Sequence, residues 1–124
     1  MYEYKAKHIR AIDGDTVELL IDLGCDVHII VKARLYGINA PECKNETHKA
    51  GINSQIRLDY LVTLASNDNK LLIRTIKDKT DKYGRLLGLL YDTPTKATTS
   101  FEESINHQMI REGYAIEAPN SWNR

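Results

Sequence analysis

The stretch Asp13-Gly14-Asp15-Thr16-Val17-Glu18-Leu19-Leu20-Ile21-Asp22-Leu23-Gly24 decides how the chain is read. Val17, Leu19, Ile21 and Leu23 alternate with Thr16, Glu18, Leu20 and Asp22, a period of two that predicts a strand with one strongly buried face. Asp13-Gly14 ahead of it suits a tight hairpin turn, because both residue types tolerate positive φ. Upstream, residues 2–12 are rich in Tyr and Ile and supply a partner strand. Downstream, Gly24 and Asp26 mark a second turn. Val27, Ile29, Val31, Ala33 and Leu35 form the expected buried face of a third strand, with His28, Ile30, Lys32, Arg34 and Tyr36 on the other side. Three hairpin-linked strands make a meander.

Beyond a loop over 37–46, given a defined shape by Pro41, the period changes. Ile52, Ile56, Leu61, Leu64 and Ala65 fall on one side of a helix predicted over about residues 47–66, which Ser66-Asn67-Asp68-Asn69 ends. Leu71 to Ile76 and Leu86 to Tyr91 return to strand character, joined by a polar connection from Lys77 to Arg85. Ser100-Phe101-Glu102-Glu103 has the spacing of a capping box, Ile105, Met109 and Ile110 continue an apolar side, and Gly113 is a helix stop. This order predicts a mainly β, α+β chain: a five-stranded closed barrel of the oligonucleotide-binding (OB) type with two to three helices. A mixed α+β sandwich is the runner-up. At 124 residues, one domain over 1–124 is expected.

Hydrophobic residues make up 42% and charged residues 27%, so wholesale disorder is not expected. No apolar run approaches the roughly 20 residues of a membrane helix, and the start carries no basic segment followed by an apolar one. A cytoplasmic monomer without membrane contact is the expectation. Seventeen basic and 17 acidic side chains cancel. Grip on nucleic acid by bulk charge is thereby disfavoured, and any phosphate binding must come from a local cluster, a metal ion or both. Cys25 and Cys43 have no metal-site spacing and are expected as buried, reduced thiols.

Three segments carry groups suited to chemistry. Asp13-Gly14-Asp15-Thr16-Val17 places two carboxylates about a turn glycine, with Asp15 on the alternation side of Val17 and Leu19. A carboxylate aimed at a core is costly unless something cationic meets it. Arg34 ends a strand, and Glu42 follows the loop Asn39-Ala40-Pro41. From Arg74 to Arg85 there are five basic residues against Asp78 and Asp81, ending in Asp81-Lys82-Tyr83-Gly84-Arg85. Taken singly, each segment has a bland reading: a plain turn, a surface ion pair, a solvated loop.

Taken together and in this order, Asp-Gly-Asp-Thr-Val, Arg-x-x-Gly-Ile-x-Ala-Pro-Glu and Asp-Lys-Tyr-Gly-Arg resemble the staphylococcal (thermonuclease-like) nuclease family, from about Ile9 to Ala115. The resemblance implies an OB barrel and calcium-dependent hydrolysis of DNA and RNA that leaves a 3′-phosphate. It implies Asp15 as a direct metal ligand with Asp13 nearby, Asn39 in the place of a second aspartate ligand, and Ala40 offering its backbone carbonyl. Glu42 takes the role of the acid that holds or deprotonates the attacking water. Arg34 and Arg85 match the arginines that grip the phosphate, and Lys82 and Tyr83 match groups that bind a terminal phosphate. Asn39 leaves one negative charge fewer than the family pattern, so weak calcium binding is expected, with other divalent cations as candidates.

The expected function is metal-dependent hydrolysis of phosphodiester bonds in DNA and RNA, single-stranded or frayed, with little sequence preference. Guanidiniums hold the non-bridging oxygens as charge builds on them. The alternative is a non-catalytic oligonucleotide-binding domain whose metal site has weakened at Asn39. A carboxylate opposite two arginines favours the enzyme, since a pure binding module gains nothing from an acid that repels phosphate.

Overall fold

The computed structural model describes residues 2–42, 48–80, 84–92 and 100–118. Among these, seven strands and two helices follow in the order β1 (Tyr2–Asp13), β2 (Thr16–Asp22), β3 (His28–Leu35), β4 (Ile38–Asn39), α1 (His48–Asn67), β5 (Leu72–Thr80), β6 (Leu86–Tyr91), α2 (Ile105–Arg111) and β7 (Ile116–Glu117). Strands β1-β2-β3-β6-β5 close into a barrel, and β4 pairs with β7 as a separate two-stranded piece. Four of the barrel's seams are antiparallel, and β3 meets β6 in parallel. The five-stranded OB-type α+β barrel expected from the sequence is the observed architecture.

Closure depends on β1, which serves two neighbours in turn. Tyr2–Lys5 pair with β5, and Ala6–Asp13 pair with β2. Register shifts between His8 and Arg10 and between Ala11 and Asp13 bend the strand around the core, as bulges do. A bulge strands backbone polar groups, and α1 satisfies them. Asp59 accepts from the Ala11 amide at 3.1 Å, Gln55 donates to the Ala11 carbonyl at 3.1 Å, and Ser66 Oγ accepts from the His8 amide at 3.0 Å.

The core holds Val17, Leu19 and Ile21 from β2, as the alternation predicts, with Leu35, Ile38, Leu58, Val62, Ile73, Leu90, Ile105 and Met109. Each such side chain contributes roughly 1.5–3 kcal/mol of burial free energy. Five expectations need correction. In β3 only Ala33 and Leu35 are buried, whereas Val27 and Ile29 are 49% and 41% exposed. β3 pairs with β6 only from Ala33 to Leu35, so its first half runs past the barrel wall. Helix α1 buries Gly51, Ser54, Leu58, Val62 and Ala65, leaving Ile56 and Leu64 exposed. The buried side is set by close approach to the first hairpin and by the bulge contacts rather than by the largest apolar residues.

The second helix starts one turn later than the capping box implies. Phe101–Glu103 form a 3₁₀ turn, and Ser104 caps α2 by accepting from the His107 amide at 3.1 Å. Gly113, at φ 83°, ends it as expected. Cys25 is exposed in the β2–β3 turn at φ 52°, not a buried thiol, and Cys43 lies outside the described residues. Among the described residues no helix is long and apolar enough to cross a membrane.

Gly14 is in the first hairpin for a reason other than the positive φ expected of it, since its φ is not positive. A Cβ there would lie 2.6 Å from the Cβ atoms of both Ala40 and Ser54, which are fixed to backbone and cannot swing aside. Gly14→Ala is expected to cost about 1–3 kcal/mol of stability through overpacking. Urea unfolding checks this, and an unchanged midpoint contradicts it.

Candidate active site

Two chain segments meet beside Gly14. The β1–β2 hairpin presents Asp13, Asp15 and Thr16, and the end of β3 with β4 presents Arg34, Asn39 and Ala40. The Asp15 carboxylate joins them. Its Oδ2 accepts from the Ala40 amide at 2.9 Å and lies 3.4 Å from Arg34 Nη2, while its Oδ1 accepts from the Thr16 hydroxyl at 3.2 Å. Arg85, just ahead of β6, donates from Nη1 to the same Thr16 oxygen at 3.2 Å. Asp15, Arg34 and Arg85, separated widely in sequence, therefore share one hydrogen-bonded cluster.

Asp13 closes the hairpin by accepting from the Asp15 amide at 3.1 Å. Burial pushes the Asp15 carboxyl up to about 7, and Asp13 alongside adds to the rise, against the opposing pull of Arg34 and of the Ala40 amide.

Arg34 is more deeply engaged than its place on the outer side of β3 suggested. The side chain is 11% exposed. Nη1 donates to the Leu35 carbonyl at 2.7 Å, and Nη2 donates to the Ile38 carbonyl at 2.8 Å and to Asn39 Oδ1 at 2.6 Å. Asn39 thus stands in the cluster with its amide oxygen turned to the guanidinium. Glu42 is exposed, two residues beyond Ala40 on the same segment. Lys82 and Tyr83 lie outside the described residues.

Two residues unmarked in the sequence hold the cluster in place. Thr16, 1% exposed, links Asp15 to Arg85. Asn106, fully buried on α2, donates to the carbonyls of Tyr36 at 2.8 Å and Gly88 at 3.0 Å and accepts from the Leu90 amide at 3.0 Å. It pins the turn after Arg34 to β6. A threonine on an alternating strand and an asparagine in an amphipathic helix carry no local signal of such roles. Arg74, counted in the basic run, is instead structural: it donates to Glu3 at 2.7 Å and lies over the Tyr91 ring at 5.1 Å.

A protein-family model described as staphylococcal nuclease homologue matches residues 32–123. The chain belongs to this family. Arg34, Asn39, Ala40, Glu42 and Arg85 fall within the match to the nuclease-homologue family, and Asp13, Asp15 and Thr16 precede it. A curated relative, Endonuclease YhcR of Bacillus subtilis (strain 168), is 29% identical over 118 residues, which covers 91% of this chain. The chain spans only 9% of that relative's length.

Asp15 offers carboxylate oxygens of the kind a hard divalent cation takes, while the Asn39 amide oxygen is engaged by Arg34 Nη2 at 2.6 Å. Among the described residues no three His, Cys, Asp or Glu side chains gather into a metal cluster, so the carboxylate count is low. The raised Asp15 carboxyl marks a place where added positive charge is stabilising.

The same shift sets a pH dependence for stability. A carboxyl raised in the folded state contributes stability that is complete below its ordinary value of 3.8 and is lost as pH rises toward about 7. In EDTA, the melting temperature of Asp15→Asn, which does not ionise, is expected to rise relative to that of the wild type as pH increases through that interval. Thermal melts across pH check this, and a difference independent of pH contradicts it.

Proposed function

We propose that the cluster hydrolyses phosphodiester bonds in single-stranded or frayed DNA and RNA with little sequence preference. The observation that supports this most is the hydrogen-bonded sequence Arg34, Asp15, Thr16, Arg85, which gathers two guanidiniums and an acid at the meeting of two hairpin ends. In this reading Arg34 and Arg85 hold the non-bridging oxygens of the scissile phosphate and bind them more strongly as negative charge develops. Glu42 takes the proton of the attacking water as its oxygen bonds to phosphorus. The P–O5′ bond breaks, the leaving O5′ takes up through solvent the proton that Glu42 received, and a 3′-phosphate remains. Lys82 and Tyr83 bind a neighbouring terminal phosphate.

A divalent cation, calcium first, would be held by Asp15, Asn39 and the Ala40 carbonyl, with Asp13 beside them; when bound it supplies charge neutralisation at the phosphate and orders water. With an amide in place of one acid, the binding is weak. Arg34 has a part on both sides of this reading. It ties down the β3–β4 turn, and contact with phosphate requires it to exchange some of those carbonyl partners for substrate oxygens.

That commitment of Arg34 also favours a second reading, a non-catalytic oligonucleotide-binding barrel, in which the guanidinium serves the fold alone. Hydrolysis of an end-labelled single strand with calcium, with magnesium and with EDTA separates the two. Metal-dependent cleavage is expected from the wild type. Arg85→Ala is expected to lower kcat by about a hundred- to a thousandfold, and Glu42→Gln by a comparable factor, with urea midpoints near that of the wild type. No cleavage at high protein concentration under any metal condition overturns the enzyme reading.

A further inference from the structure

Helix α1 has an apolar side that the barrel does not use. Gly51, Ser54, Leu58, Val62 and Ala65 are buried, while Ile56, Tyr60 and Leu64 are 62%, 48% and 49% exposed. Residues four apart are neighbours on a helix surface, so these three form one continuous ridge about two turns long. The ridge is stiff at its centre. The Arg57 guanidinium lies 5.3 Å from the centroid of the Tyr60 ring and donates to Glu112, the residue after α2, at 2.6 Å. A ring held in place beforehand costs less entropy to cover.

This side of the helix reads alike in both directions from Tyr60. A branched aliphatic residue stands four positions away on each side, Ile56 and Leu64, and an exposed asparagine seven positions away, Asn53 and Asn67. A two-fold contact has this requirement, because residue i meets j and j meets i. The charges obey it too. Arg57 and Asp59 are paired within the chain, to Glu112 and to His8 at 2.7 Å. An antiparallel copy would set Thr63 and Leu61 opposite them, so no like charges meet. A lipid surface is a poor match, since it selects helices with a polar face rich in lysine and arginine. In α1 the residues of that kind are Lys49 and the paired Arg57.

We infer that this ridge docks a second copy of the chain, with the two α1 helices antiparallel and crossing at Tyr60. Ile56 of each copy packs against Leu64 of the other, and the two Tyr60 rings meet at the two-fold axis. Interlocking rows of residues four apart cross at about 50°, which brings only the length of the ridge into contact. The antiparallel sense sets the helix dipoles in opposition, and α1 has neither an acid in its first turn nor a base in its last to offset its own. A contact this short belongs to the small, transient class that buries less than about 1,200 Å² in total. Dissociation on the order of 10–100 µM follows for such a contact. The monomer expected from the sequence is then the form at low concentration. The inference does not depend on the nuclease reading.

The test is sedimentation equilibrium over roughly 5–500 µM protein, a range that brackets this constant. The wild-type mass is expected to rise from 14.1 kDa toward twice that value. Ile56→Lys/Leu64→Lys sets lysine against lysine in both aliphatic pairs, and is expected to weaken the dimer about a hundredfold or more. Ile56→Lys/Leu64→Glu sets lysine against glutamate in both. It is expected to bind itself at least about tenfold more tightly than the first variant at low salt, with the gain shrinking as salt rises. In a parallel pair the second variant would meet like charges and lose as much as the first. Both variants replace exposed residues, and urea midpoints near that of the wild type identify folded chains. A wild type that stays at 14.1 kDa throughout overturns the inference. So does a dilysine variant that dimerises as the wild type does, and equal loss in the two variants overturns the antiparallel register.

Discussion

The Asp15 carboxylate, lodged between the Ala40 amide and the Arg34 guanidinium, is the contact on which the described architecture turns. It is 13% exposed, and a charged group so placed is costly unless its oxygens are met. Here they are met by a backbone amide, a hydroxyl and a guanidinium, each from a different part of two hairpin ends. It ties the β1–β2 turn to the Arg34 guanidinium and to the Ala40 amide beyond β4. The glycine before it allows that segment to approach, and Ser54 on α1 packs on the same spot. One acid thereby positions four groups that the sequence scatters from residue 15 to residue 85.

The arrangement is also under electrostatic tension. Burial, with Asp13 beside it, makes Asp15 a poor place for a full negative charge, and Arg34 divides its donors among Asn39 and two carbonyls. A fold optimised for stability alone would replace such a pair with apolar residues of similar volume. Strain of this kind is common at sites that bind charge in their working state, because a ligand of opposite sign relieves it. In the proposed enzyme the cation answers the acids and the phosphate answers the arginines, so substrate and metal complete a set that the protein alone leaves unbalanced.

Much of this was legible in the sequence, and the parts that were not share a cause. The alternation from Val17 to Ile21 reports burial because β2 has partners on both edges along its whole length. The same alternation misleads in β3, where Val27 and Ile29 continue the pattern beyond the barrel wall. Periodicity describes a strand's two faces but not whether another layer covers them. In α1 the large residues Ile56 and Leu64 gave the wrong side, since Gly51 and Ser54 are buried for their small size. The charged members of the cluster stood out by residue type and order. Thr16 and Asn106 did not, because their roles come from partners more than 15 positions away. A hydroxyl or an amide is ordinary until its neighbours in space are known.

The similarity to Endonuclease YhcR covers most of this chain but only 9% of that relative. In the proposed enzyme the two hairpin ends form one cation-and-phosphate centre around Asp15. The most direct measurement is a calcium titration followed by backbone amide NMR shifts. The amides of Asp15, Thr16 and Ala40 are expected to move together in a single saturable transition of modest affinity. Shifts confined to acidic surface elsewhere, with those three amides stationary at saturating calcium, would contradict it.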